Sequence, residues 1–301
     1  MKKLSKTIVF FGNERLVSGL KKTDAPVLSG LIERGYNVKA IVSHHSDSKS
    51  RNHRDLEVAK IGETNNIPVF LPNKPGDIID ELEALNADIA ILVAYGRIIP
   101  QRIIDVFPGG IVNVHPSLLP KYRGPTPIES AVLNGDSETG VSIMRLTAGM
   151  DSGPVYGQST LKLDGSETKF EVYERLSKQG SELLFELLPS ILDGSLQPKA
   201  QDETKATYCS LLDKKDSFLN LETLSAQEAE RRIRAHLRYP KSRLTIEGHE
   251  IIVTKAHVAS EQKTPLDLLC QDGAYLSIDE LIAPSGRSMV AEGFINGYLR
   301  R

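Results

Sequence analysis

Over the first two-thirds of the chain, short apolar runs alternate with stretches of helical periodicity. The apolar runs predict strands at 7–11, 38–42, 67–70, 88–94, 110–115, 140–146 and 154–163. Helical spacing predicts helices over 25–35, 54–65, 77–86 and 127–134, and a long one over 168–192. Short buried strands alternating with helices imply an α/β sheet with helices on both faces. Two helix starts carry explicit signals. Thr126-Pro127-Ile128-Glu129 reads as a capping box with Pro at the first helical position, and Gly135 follows the end. Thr168-Lys169-Phe170-Glu171 opens the long helix in the same way. Its apolar positions, among them Phe170, Val172, Tyr173, Leu176, Leu184 and Leu188, suit a helix packed on a sheet.

The pattern breaks around 193–210, which is polar and contains Pro198. We read 196–208 as a linker between a larger domain, 1–195, and a smaller one, 209–301. Ser225-Ala226-Gln227-Glu228 caps a further helix that runs to about 237. Alternating runs then follow at 243–247, 250–256, 274–278 and 289–294, with turn residues between them. They predict a small, mostly β domain of barrel type.

Composition narrows the classes. A chain of 301 residues has room for two cores. The formal net charge of -2 argues against general nucleic-acid binding, so any RNA contact must come from local basic patches. Cys209 and Cys270 are far apart and have no His or Cys at ligand spacing. Two reduced thiols are expected, with no disulfide framework and no metal site. The first apolar run is too short for a secretory signal, and no stretch approaches the roughly 18 apolar residues of a membrane span. A cytoplasmic protein without a membrane partner is the expectation, and a monomer, since no exposed apolar stripe stands out.

The chemistry concentrates in Gly110–Pro125. Asn113 and His115 lie two apart on a predicted strand, which places both side chains on one face. Pro116 stops the strand there, and ligand crevices of open α/β sheets lie at such C-terminal ends. An Asn-x-His pair can equally serve to tie down the adjacent loop. The loop itself, Ser117-Leu118-Leu119-Pro120 followed by Arg123-Gly124-Pro125, is long and rigid enough to wall a pocket. A second piece is Thr147-Ala148-Gly149-Met150-Asp151-Ser152-Gly153-Pro154, where glycines flank an Asp in a turn. An Asp between glycines is commonly a surface turn. Beside the Asn/His strand end it becomes a candidate acid–base partner.

Together, Asn113-Val114-His115-Pro116-Ser117-Leu118-Leu119-Pro120, Arg123-Gly124 and Met150-Asp151-Ser152-Gly153 resemble the signature of the 10-formyltetrahydrofolate-dependent formyltransferases. The resemblance implies a Rossmann-like N-terminal domain, a C-terminal barrel resembling an OB fold, and a catalytic set of Asn113, His115 and Asp151. It implies 10-formyltetrahydrofolate as formyl donor, lying against Leu92, Val93, Ala94, Tyr95 and Gly96, against Ser117, Leu118, Leu119 and Pro120, and against Ala148, Gly149 and Met150. In the implied reaction a neutral amine attacks the formyl carbon. Asn113 and His115 donate hydrogen bonds to the developing oxyanion, and Asp151 relays protons.

The two-domain length resembles the branch of that family whose acceptor is methionine esterified to initiator tRNA. Two segments fit that branch. Ser43–Arg54 is polar and locally basic, and Lys49, Arg51 and Arg54 are candidate contacts to RNA. Glu230–Pro240 places Arg231, Arg234 and Arg238 three and four apart, a spacing that predicts one basic helix face. Either segment can also be an ordinary solvated surface. The region 205–301 holds 14 Lys and Arg against 13 Asp and Glu, so it is not strongly basic. The opening Phe10-Phe11-Gly12-Asn13-Glu14-Arg15-Leu16 departs from the common family opening of Phe-x-Gly-Thr-Pro-x-Phe. Competing readings are a formyltransferase for an amino sugar nucleotide or another small amine, a hydrolase of formyl-folate, and an RNA-binding protein without catalysis. A dinucleotide-binding oxidoreductase is disfavoured, because Gly12-Asn13-Glu14 replaces the glycine-rich phosphate turn.

Overall fold

The computed structural model describes residues 6–44 and 56–299. The first part of the chain runs β1 (Thr7–Gly12), α1 (Pro26–Glu33), β2 (Asn37–Val42), α2 (Glu57–Thr64), β3 (Val69–Phe70), α3 (Ile79–Ala84), β4 (Ile89–Val93), α4 (Gln101–Ile104), β5 (Ile111–His115), α5 (Pro127–Asn134), β6 (Glu138–Arg145), β7 (Val155–Lys162) and α6 (Lys169–Leu192). Seven strands form one sheet in the order β3-β2-β1-β4-β5-β6-β7. The strands from β3 to β5 are parallel, β6 runs antiparallel to β5, and β7, antiparallel to β6, returns to the direction of the first five. The order reverses between β1 and β4, which opens a crevice at the C-terminal ends of the central strands.

The alternation along each strand decides which layer it feeds. Ile8, Phe10, Ile91, Val93, Val112 and Val114 enter the core under α1, α5 and α6. Val9, Phe11, Ala90, Leu92 and Ile111 enter the opposite core, with Leu82 of α3 and Ile103 and Ile104 of α4. Burial on both faces explains why these strands read as unbroken apolar runs. The Thr168–Glu171 capping box forms as expected at the start of α6. The one expected at Thr126 does not. Thr126 Oγ1 donates to Ser210 O instead, and Glu129 turns inward to accept from Ser18 N. Local pairing lost to two long-range partners.

The second part runs α7 (Ala226–His236), β8 (Ser242–Ile246), β9 (His249–Ala259), β10 (Asp267–Leu269), β11 (Tyr275–Ile282), β12 (Ser288–Val290) and α8 (Ala291–Phe294). Its strands form an antiparallel sheet ordered β10-β11-β9-β8, with β12 also on β11. A separate core fills it, built on Ile233, Leu244, Ile251, Val253, Leu276, Leu281 and Phe294. The run 289–294, expected as strand, is extended only to Val290 and then helical. Short apolar runs do not separate strand from helix. The same shortness hid α4 and β10.

The segment expected as a linker is not a free tether. Lys199 bridges to Val155 and Tyr208 bridges to Arg123, so it lies along the first domain. The two cores meet where α5 packs on α7. There Lys169 Nζ donates to Tyr239 O at 2.9 Å.

Candidate active site

Strand β5 ends at His115, as the following proline dictates. Asn113 and His115 share the face of Ile111, at the C-terminal end of the strand. Asn113 sits between Leu92 of β4 and Met144 of β6. It is 5% exposed, and among the described residues its amide has no hydrogen-bond partner. Its amide atoms are not sealed from solvent, so they keep an opening at the strand end. The amide is therefore a donor held ready for an oxygen that the protein does not supply.

His115 is 4% exposed. Its Nε2 lies 3.0 Å from Tyr122 O. A carbonyl oxygen only accepts, so Nε2 carries the proton and the neutral ring keeps its lone pair on Nδ1. That Nδ1 faces Asp151 Oδ2 at 3.8 Å, too far for a direct hydrogen bond but close enough to stabilise an imidazolium. The expected donation from neutral His115 to an oxyanion is unavailable, since its one N–H is engaged. Its open function is that of a base at Nδ1.

Asp151 itself takes the left-handed backbone conformation, with φ 43°. Gly149 and Gly153 do not need positive φ, but a Cβ on Gly153 would stand 1.9 Å from Arg145 O. Asp151 Oδ2 accepts from Gly124 N at 2.8 Å, which joins the turn to the loop after β5. The structure thus brings Asn113, His115 and Asp151 together at one strand end.

The loops expected to hold a folate divide into two kinds. Ala148, Gly149 and Met150 are exposed beside Asp151, and Met150 is 58% exposed. At the end of β4, Ala94 and Gly96 turn through positive φ, and His44 Nε2 lies 2.7 Å from Tyr95 O. Leu92, Val93 and Tyr95 are buried, so they offer backbone rather than side chains. In the loop after β5 several groups are already engaged by the protein. Ser117 Oγ donates to Lys121 O, Leu118 rests on Gly140, and Leu119 is buried with its N–H on Ser142 Oγ. Gln158 Nε2 donates to Leu119 O and leaves Pro120 at the half-buried rim. The side chains of Ser117 and Leu119 are engaged within the protein, and Leu118 is half-buried over Gly140.

Lys49, Arg51 and Arg54 lie outside the described residues. The shared basic face of Arg231, Arg234 and Arg238 is not present. Arg234 is 9% exposed, its guanidinium is paired with Glu230, and it donates to Glu167 O. Helix α7 ends at His236, so Arg238 follows a turn and stacks over Phe170 at 4.5 Å. Arg231 is half-buried against Asn134 O. Charge spacing alone did not show that the helix buries the Arg234 side against the first domain.

Sequence reading missed Tyr122 O, Gln201, Glu203 and Thr207. Arg123 was the available signal. An arginine that becomes buried needs a carboxylate. Arg123 is 1% exposed and pairs with Glu203 through two bonds.

Residues 15–188 match the family described as formyl transferase, and residues 211–299 match the formyl transferase C-terminal domain. The methionyl-tRNA formyltransferase of Lactobacillus delbrueckii subsp. bulgaricus is 35% identical over 300 residues, covering 95% of each chain. Two solved structures share the fold. HypX from Aquifex aeolicus in complex with tetrahydrofolic acid has a TM-score of 0.67 at 17% identity and covers 98% of this chain. This chain spans 47% of HypX. An N-formyltransferase from Helicobacter canadensis, in complex with folinic acid and dTDP-3-aminofucose, has a TM-score of 0.69 at 17% identity. It covers 91% of this chain, which covers 98% of it.

Proposed function

Because the chain belongs to the formyl transferase family, we propose that it transfers the formyl group of 10-formyltetrahydrofolate to the α-amino group of methionyl-initiator tRNA. The observation that carries the chemistry is the unmet Asn113 amide beside a histidine whose Nδ1 lone pair is free to take a proton. The amine nitrogen attacks the formyl carbon, a C–N bond forms, and the carbonyl electron pair moves to oxygen. Asn113 donates a hydrogen bond to that oxygen, where it is worth most in a water-poor site. The new ammonium passes a proton to His115 Nδ1, and Asp151 stabilises the imidazolium. The electron pair on oxygen then re-forms the C=O bond as the bond to folate N10 breaks, and that bond's electron pair stays on N10. Nδ1 returns the proton there, and the products are the formylated amine and tetrahydrofolate.

The folate's place in this reading is between the exposed 148–150 turn and the backbone of 92–96, with Pro120 at its rim. The division into 1–195, 196–208 and 209–301 assigns transfer to the first part and acceptor binding to the last. Lys49, Arg51, Arg54, Arg231 and Arg238 are proposed contacts to tRNA. Arg234 is not among them, because its guanidinium is already paired. What favours tRNA over an amino sugar is 35% identity to a methionyl-tRNA formyltransferase over 95% of both chains, against fold likeness alone to the sugar enzyme.

The test is a transfer assay with 10-formyltetrahydrofolate labelled in the formyl group, offering initiator Met-tRNA, free methionine and a dTDP-amino sugar. Label should appear on Met-tRNA alone. Label on the sugar nucleotide would move the assignment to a small amine, and release as free formate would make the protein a hydrolase.

A further inference from the structure

The segment between the two domains carries a set of contacts that the proposed chemistry has not used. Gln201 Nε2 donates to Asp151 O and to Gly153 O, both at 2.7 Å. Its Oε1 accepts from Arg123 Nε at 3.0 Å and from Nη2 at 2.9 Å. Arg123 in turn pairs with Glu203 at 2.6 and 2.8 Å. Four residues after Glu203, Thr207 Oγ1 accepts from Tyr122 N, and Thr207 O accepts from Arg123 N, each at 2.9 Å. Cys209 N closes the run on Arg123 O. At Gly124, a Cβ would stand 2.3 Å from Cys209 O, so glycine is needed for this close approach.

The contacts of Gln201 and Thr207 lead to the acid–base pair. The Tyr122 carbonyl accepts the Nε2 proton of His115, and Thr207 holds the amide of that same residue. The Asp151 backbone is held by Gln201, and its carboxylate by Gly124, the residue after Arg123. We propose that the 199–209 segment is a strap in which Gln201 and Thr207 are positioning residues. Gln201 sets Asp151 and Thr207 sets the His115 tautomer. The Arg123–Glu203 pair fastens the two. Glu203 also holds the Arg123 guanidinium more tightly protonated than usual. A buried arginine with a bidentate partner is rigid, which suits a fastening.

The inference rests on the formyl-transfer reading, and one of its readouts is independent of it. Gln201→Glu keeps size and keeps an oxygen for Arg123, but aims a carboxylate at two carbonyls. Thr207→Val removes the acceptor for Tyr122 N at an exposed position. Both are compared with the wild type for kcat, for KM of donor and Met-tRNA, and for the pH dependence of kcat. Imidazole ¹⁵N spectra are recorded without substrate. We expect Gln201→Glu to lose on the order of 10²-fold in kcat, as for a displacement of about 1 Å. KM should stay within about threefold, and the pH profile of kcat should move. Thr207→Val should turn the single Nε2–H signature of His115 into a mixture of tautomers. Folded variants with wild-type kcat, pH profile and ¹⁵N signature overturn the proposal. So does a lower kcat with the pH profile and tautomer unchanged, because that marks a structural part only. If Gln201→Glu does not fold, Thr207→Val decides alone. A wild type that transfers formyl to no amine sinks the functional reading, while the ¹⁵N spectra still decide the strap.

Discussion

Two of the clusters of polar groups in this molecule treat burial differently. One is the cleft trio of Asn113, His115 and Asp151. The other lies where α5, α6 and α7 meet under the segment after β1, and contains Glu14, Glu129, Lys169 and His236. At the junction the charges have fixed protein partners. Glu14 accepts from Val27 N and Leu28 N at the start of α1, and Tyr173 donates to its carbonyl. Glu129 accepts from Ser18 N and faces Lys169 Nζ at 3.8 Å. Lys169 donates to Tyr239 O. Glu129 Oε2 and His236 Nδ1 have no partner, but both atoms are sealed from solvent. In the cleft, the Asn113 amide and His115 Nδ1 are left open instead. Burial and charge do not by themselves mark a site. An open hydrogen-bonding group facing a crevice does.

The largest expected effect is in the cleft. Asn113→Ala should lower kcat by about 10²–10³-fold with melting temperature nearly unchanged, and His115→Ala should lower kcat by about 10²–10⁴-fold with a modest loss of stability, because it also removes the hydrogen bond to Tyr122 O. If either variant lost stability and kept kcat, the trio would belong with the junction cluster. The converse test is Lys169→Met, which leaves Glu129 buried without its cation. It should destabilise the protein by about 3–5 kcal/mol in urea unfolding, with kcat per folded molecule preserved. Unchanged stability would show that the junction charges are not paired as described.

Acidity separates the two clusters further. Burial pushes Glu14 up to about 7, against the pull of its two backbone amides. Its native form then binds more protons than the unfolded chain between its ordinary 4.5 and about 7, so stability falls as pH rises across that window. Burial, aided by Lys169, pulls His236 down to about 4. Here the unfolded chain binds more protons between about 4 and the ordinary 6.5, so stability rises with pH. The two slopes oppose one another in the overlap. Glu14→Gln should expose the rising limb and His236→Phe the falling one, each read by thermal unfolding at stepped pH. Two flat profiles would remove both groups from the account. The smallest effect belongs to the exposed Lys162–Glu138 pair, where Lys162→Ala should leave the unfolding midpoint in urea unchanged, because solvent screens the pair. A shifted midpoint there would mean that exposure is not what separates these clusters.

Some of this was legible along the chain and some was not, and the dividing line is sequence separation. The period of two on β5 put Asn113 and His115 on one face, and Pro116 ended the strand beside them. Both are consequences of neighbouring residues, and both were readable directly. So were the Thr168 and Ser225 caps, whose partners lie three residues away. The Thr126 cap was read by the same rule, yet it lost to Ser210, 84 residues distant. Arg234 looked like part of a solvated basic face because its spacing is local, but Glu167 O, 67 residues away, takes one of its protons.

The amino-acid sequence by itself determined the alternation of strands and helices, the strand end that carries Asn and His, and the motif that identifies the family. Periodicity, capping and turn chemistry act over a few residues, so they survive in a linear reading. The tertiary structure alone decided which nitrogen of His115 holds the proton, and that the polar stretch around Gln201 grips Asp151 rather than hanging free. Tyr122 O and Gln201 reach their positions only when loops of many residues close. Which polar group meets which is then settled by packing, because each buried donor must find an acceptor within about 3 Å.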